Sequence, residues 1–162
     1  MKATDTYVID IMYVLWYYDY ESEVCAMLVL NATDVRKEWS LVIDSVIREK
    51  PKFIKRTRDT LFLTDLSVLE SLLSAYSFTA DKYIEEDGSV TLSLIEFDLV
   101  ENGENESAAL RKLAAAILEY AEDYYDDSAF WVRGARKAHL PYVFKALILH
   151  DVEKIGGLIE LR

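Results

Sequence analysis

The sequence predicts an α+β fold, an antiparallel sheet built from hairpins with about four helices packed on it, over a single domain spanning residues 1–162. Three observations carry that expectation. Short runs of β-branched and aromatic residues are separated by turn-forming clusters, and four segments repeat apolar residues at helical spacing. There is no regular βαβ alternation and no Gly-rich strand-to-helix turn, which disfavours a doubly wound nucleotide-binding sheet.

The elements follow in order. Tyr7–Tyr18 is β-branched, aromatic or long apolar apart from Asp10, and reads as a strand buried on both faces. A helix stays open there, because a continuous apolar run has no periodicity. The polar turn Asp19–Glu23 and the run Val24–Leu30 complete a hairpin. Val35, Trp39, Val42, Ile43, Val46 and Ile47 then mark an amphipathic helix capped by Thr33 or Asp34 and ended by Pro51. A basic connector, Lys50–Arg58, leads to a short strand at Thr60–Leu63. Thr64 or Asp65 opens a second helix with the stripe Leu66, Leu69, Leu72, Leu73 and Tyr76. Lys82–Glu86 and Ser89–Leu99 form a hairpin around Asp87-Gly88, and the change of alternation between Leu94 and Ile95 signals a bulge or a bend. Asn102-Gly103 reads as a loop before a third helix from Ser107 to Tyr125. A fourth helix opens at Pro141 and closes at Gly156-Gly157, followed by a terminal strand at Leu158–Leu161.

Composition excludes several classes. With 52% apolar and 29% charged residues, the chain buries a real core and is not disordered. Five glycines and two prolines exclude collagen-like and linker-rich readings. The single cysteine, Cys25, excludes an internal disulfide framework and agrees with a reducing, cytoplasmic compartment. No signal peptide is expected, and the uncharged stretch Ile11–Tyr18 is far below the ~18–20 residues a spanning helix needs.

The charge is the most informative quantity. Eighteen Lys and Arg face 29 Asp and Glu, a net −11. Residues 81–127 alone hold 3 basic against 14 acidic residues, while the flanks cancel at −3 and +3. Such a surface repels nucleic acid and anionic membrane and attracts basic partners. Within it, Glu119, Glu122, Asp123, Asp126 and Asp127 alternate with Tyr120, Tyr124 and Tyr125 at a helix C-terminus, where the macrodipole makes acids mildly unfavourable. One reading is a solvated face partly neutralised by Arg133, Arg136 and Lys137. The other is a docking surface, with tyrosines as anchors beside the carboxylates. Tyr18, Asp19, Tyr20 and Glu21 repeat the same chemistry at the first hairpin turn.

Catalytic and metal signals are thin. No P-loop, GxSxG, CxxC or HExxH pattern occurs, and the two histidines, His139 and His150, stand eleven positions apart. A carboxylate-only cation site at Asp123, Asp126 and Asp127 is the sole metal arrangement to weigh, and the expectation is no metal and no cofactor. His150-Asp151 resembles the central dyad of HD-type phosphohydrolases, and Arg133 with His139 resembles the Arg–His pair of HEPN-type ribonucleases. Each resemblance covers two residues and lacks its companions, and the predicted strands conflict with the all-helical HEPN fold.

The first reading is therefore a small acidic binding protein of the inhibitor or immunity type. It would block a basic partner, a nuclease toxin or a nucleic-acid-binding enzyme, by electrostatic steering and tyrosine-anchored docking. The alternatives are a small hydrolase or ribonuclease using His139 or His150, and a homo-oligomer that buries the aromatic N-terminal strand. The sequence leaves the oligomeric state open.

Overall fold

The computed structural model describes residues 29–127 and 135–162. They divide between two compact units, one ending at Val68 and the other covering Leu69–Arg162. The fold class is α+β, as the sequence predicts.

In the first unit, β1 (Val29–Asn31) leads into α1 (Ala32–Lys37) and α2 (Trp39–Arg48), then β2 (Lys52–Arg56) and β3 (Asp59–Leu63). The strand order is β1-β2-β3. β2 and β3 form an antiparallel hairpin, but β1 pairs parallel with β2, Leu30 opposite Ile54. This corrects the purely antiparallel expectation: a strand that returns after a helical crossover enters parallel to its predecessor. The basic connector is likewise corrected, since Lys52–Arg56 is the central strand of this sheet. Its basic residues alternate around Phe53 and Ile54, and only Ile54 is buried.

The expected first helix is two helices. Glu38 leaves helical geometry at φ −115, ψ 31, so the stripe is broken: Val35 and Val46 are buried while Trp39 and Ile47 are exposed. The cap is Asn31, not Thr33 or Asp34; its side chain accepts from the Thr33 amide at 2.8 Å. Asp65 opens α3 (Leu66–Leu72) by accepting from the Ser67 amide at 2.9 Å, as expected. Its stripe is buried only at Leu73; Leu66 and Leu72 are exposed.

The sheet of the second unit begins with β4 (Phe78–Ile84), four residues earlier than the alternation suggested, because Phe78 and Ala80 are core residues with no exposure. β5 (Val90–Leu94) follows the expected Asp87-Gly88 turn, where Gly88 has φ +83. Of a bulge or a bend after Leu94, the structure has the bend, at residues 95–98, and the strand ends at Leu94 instead of running on to Leu99. The chain turns there, with the Leu94 amide on the Leu99 carbonyl at 2.9 Å, and returns as β6 (Val100–Gly103). Phe97 fills the inside of this turn against Phe78, at a ring separation of 6.4 Å. Then come α4 (Glu106–Asp126), a 3-10 turn at Ala135–His139, α5 (Leu140–Leu149), α6 (Val152–Gly156) and β7 (Ile159–Leu161). The expected fourth helix is split because His150 adopts a left-handed conformation, φ 40, and Asp151 caps a new helix by accepting from the Lys154 amide at 3.0 Å. The sheet order is β6-β5-β4-β7, with β7 parallel to β4.

The core lies between this sheet and the helices: Val90, Leu92 and Leu94 face Leu113, Ile117, Val143 and Ile155. Among the described residues no helix is long and apolar enough to cross a membrane. The N-terminal hairpin, except Val29 and Leu30, lies outside the described residues, as does Arg133.

Gly103 is not the loop glycine the sequence suggested. A Cβ placed there would lie 2.3 Å from the Ala109 amide nitrogen, so β6 meets the start of α4 through a gap that only glycine leaves. Gly103→Ala is expected to cost about 2–3 kcal/mol through overpacking. Gly88→Ala has open space and carries only the left-handed penalty, about 1 kcal/mol. Urea unfolding of the two variants should rank them in that order.

Candidate functional site

The acidic cluster occupies the last two turns of α4, a 21-residue helix whose first turn is closed by Asn105 accepting from the Ala108 amide at 2.9 Å. Its inward stripe is Ala109, Leu113, Ala114, Ile117, Ala121 and Tyr124, all buried. That stripe fixes the other face. Glu119, Glu122, Asp123, Asp126 and Asp127 are all exposed, the first four at i, i+3, i+4 and i+7, so they form one continuous ridge. Glu119, Asp123 and Asp126 make no ion pair with a described residue. Glu122 stands 3.7 Å from His150, a solvent-exposed pairing of small energetic weight.

The three tyrosines do not share a role. Tyr125 is 54% exposed and lies among the acids. Tyr124 is 1% exposed and its hydroxyl donates to the Arg136 carbonyl at 3.0 Å, so it is a core residue and not a surface anchor. Tyr120 is half-buried; its hydroxyl is hydrogen-bonded to His139 Nδ1 at 2.7 Å and its ring lies 4.5 Å from that of Phe97. Burial raises the Tyr120 pKa, with the Arg136 charge acting against it. Together Tyr120 and Tyr124 tie the acidic end of α4 to the turn at Ala135–His139. The Tyr18, Asp19, Tyr20 and Glu21 cluster lies outside the described residues.

The two histidines stand in different settings among the described residues. His139 packs 5.0 Å from the Phe97 ring and is engaged by Tyr120. Its pKa is lowered by burial first and by the Arg136 charge second, against the opposing pull of Asp98. His150 is the exposed left-handed cap of α5. Sequence reasoning missed the His139–Tyr120 bond. A residue at a helix boundary nineteen positions from its partner leaves no periodic signal. Among the described residues no group of three or more His, Cys, Asp or Glu is placed to hold a metal ion.

Comparison with known proteins identifies the family. A family model described as "Antitoxin of toxin-antitoxin, RelE / RelB, TA system", PHD-like, matches residues 27–161. The chain belongs to this antitoxin family. A crystal structure from Syntrophomonas wolfei subsp. wolfei, described as the antitoxin part of a proposed toxin/antitoxin system, is similar at a TM-score of 0.78 and 36% identity. The match covers 83% of this chain and 97% of that one. No curated protein matches. An inhibitor-type role is thus established at the level of the family, and with it a toxin as partner.

His139 gives the antitoxin a pH dependence with a defined sign. Its folded pKa lies below the unfolded value of about 6.5. The unfolded chain therefore binds more protons, and this group's contribution is full above that value and lost as pH falls through it. Thermal unfolding should show stability declining between roughly pH 7 and 5, before most carboxylates titrate. His139→Gln, which keeps an acceptor for Tyr120, should flatten that part of the profile.

Proposed function

We propose that this antitoxin neutralises a basic protein toxin, a nuclease or another nucleic-acid-handling enzyme of the cytoplasm, by setting the acidic end of α4 against the toxin's cationic surface. One observation supports this above the others. A continuous ridge of exposed carboxylates closes a helix at the end where the dipole opposes them, on a scaffold that a buried stripe and two tyrosine hydrogen bonds hold in place. The solvated-face reading leaves that local cost without a return. The docking reading supplies one, since a desolvated Arg or Lys from the toxin would pair with the ridge.

The steps follow from the charge distribution. The negative field of residues 81–127 raises the rate of encounter with a cationic protein. Docking then brings Glu119, Glu122, Asp123, Asp126 and Asp127 against basic side chains, with Tyr125 as the aromatic contact among them. Tyr124 supports the helix from inside. The N-terminal cluster at Tyr18–Glu21 would add a second patch of the same chemistry. No cofactor, nucleic acid or membrane enters this mechanism.

The test is association with the cognate toxin, followed by titration calorimetry at low and high salt. Reversal of Asp123, Asp126 and Asp127 to Lys should weaken binding by about a hundredfold or more at low salt and flatten its salt dependence. Unchanged affinity in a variant that still folds would show that the toxin docks elsewhere.

A further inference from the structure

Asn102-Gly103 stands in β6, where the sequence suggested a loop, and the toxin-docking reading makes no use of it. The chain has three asparagines, Asn31, Asn102 and Asn105, and only Asn102 precedes a glycine. Glycine has no Cβ to shield its amide nitrogen, and its backbone reaches conformations closed to other residues. In an open chain the Gly103 nitrogen therefore reaches Cγ of the Asn102 side-chain amide. A new N–C bond forms there and the side-chain nitrogen leaves as ammonia, carrying off the Gly103 amide proton. The product is a five-membered succinimide. Water opens that ring at either carbonyl, leaving aspartate or isoaspartate at position 102, and no oxidant or reductant is needed.

The folded chain keeps both reacting groups engaged. In the antiparallel ladder Asn102 stands opposite Thr91 and Gly103 opposite Val90. The Leu94 amide bonds the Leu99 carbonyl, and the Val90–Gly103 pair lies four positions further along both strands. The alternation of the ladder makes that pair hydrogen-bonded too, which sets the Gly103 amide on the Val90 carbonyl. The Asn102 side-chain amide donates to Ser89 Oγ and to Thr91 Oγ1, each at 3.0 Å, and Thr91 in turn donates to Glu85. Lys112 Nζ holds the Asn102 main-chain carbonyl at 2.8 Å. Asn102 is exposed, so its protection comes from fixed geometry and not from burial.

The same surroundings make the product disruptive. Isoaspartate routes the main chain through the side-chain carbon and adds one backbone atom before Gly103. A Cβ on Gly103 would already lie 2.3 Å from the Ala109 nitrogen, so β6 has no slack to absorb the shift. Aspartate keeps the backbone but loses the donor to Ser89 and Thr91.

We propose that Asn102-Gly103 is a deamidation site that folding closes and unfolding opens, and that isoaspartate there blocks the return of β6 against α4. The antitoxin thereby has a one-way exit: a chain that stays unfolded is chemically altered before it returns. A toxin bound to the folded chain lowers the open fraction and slows the reaction, so free antitoxin is lost first. This does not rest on where the toxin docks.

The test is timed incubation of the full chain at mildly alkaline pH, in native buffer and in urea, followed by peptide mass mapping and return to native buffer. In urea the peptide holding residues 102 and 103 should gain the mass of an amide-to-acid exchange about a hundredfold faster or more than in the native chain, since only open molecules react. Refolding by circular dichroism should fall in step with the isoaspartate fraction. Asn102→Gln keeps the amide but needs a slower, six-membered ring, and should refold fully after the same incubation. Equal rates in the two buffers would overturn the inference. So would undiminished refolding of isoaspartate-rich wild type, or an equal loss in Asn102→Gln. The rate comparison uses the wild type alone and stands even if the variant fails to fold.

Discussion

The buried stripe of α4 is the constraint on which the second unit depends. Three of its positions are alanine (Ala109, Ala114, Ala121), which lets the helix axis approach its neighbours closely; Leu113 and Ile117 fill the space that remains. Each of those larger side chains contributes roughly 1.5–3 kcal/mol on full burial. The approach is tightest where β6 passes the first turn, and Gly103 is there because a methyl group would collide with the Ala109 backbone. Rotating α4 by even one position would lift Leu113 or Ile117 out and drive a charged residue in, so the orientation of its outer face is not adjustable.

That rigidity decides what the acids can be. An acid in the last turn of a helix costs a few tenths of a kcal/mol, and neighbouring acids at i, i+4 add similar amounts. A marginal helix would fray under several such terms. Here the last turns contain Tyr124, buried and hydrogen-bonded to the Arg136 carbonyl, and Tyr120, bonded to His139. These contacts outweigh the repulsion, and the helix continues to Asp126. The result is a charge ridge with little conformational freedom left to lose on binding, which is what a high-affinity electrostatic contact requires.

Legibility in the sequence followed the range of the interactions. The stripe of α4, the cap at Asp65 and the Asp-Gly turn are local, and α3, α4, β7 and the start of β5 stand close to where their residues predict. The cap at Asn31 and the break at Glu38 are local and were still missed, but most of what escaped was set by contacts distant in sequence. The parallel placement of β1 and β7 depends on which strand each finds after a helical crossover. The return of the chain at Ile95–Leu99 depends on Phe97 entering a core built by Phe78 and α4. β2 hid behind its lysines, because Lys52, Lys55 and Arg56 outweigh Phe53 and Ile54 in any compositional window. At the site, the acids were visible as a charge imbalance. The separation of Tyr124 from Tyr125, adjacent residues with opposite burial, required knowing which helix face the core occupies.

The α4 ridge acts through charge, so its attraction reaches about a Debye length, ~8 Å at physiological ionic strength, and weakens as salt rises. The net −11 of the chain is the charge of residues 81–127, because the segments before and after it cancel at −3 and +3. A charge confined to one segment gives the field a direction, whereas the same charge spread over the chain would act mainly on solubility. A basic toxin would therefore be drawn to the segment that carries the ridge, and a rise in salt would weaken that attraction before it touched the buried contacts that hold α4 in place.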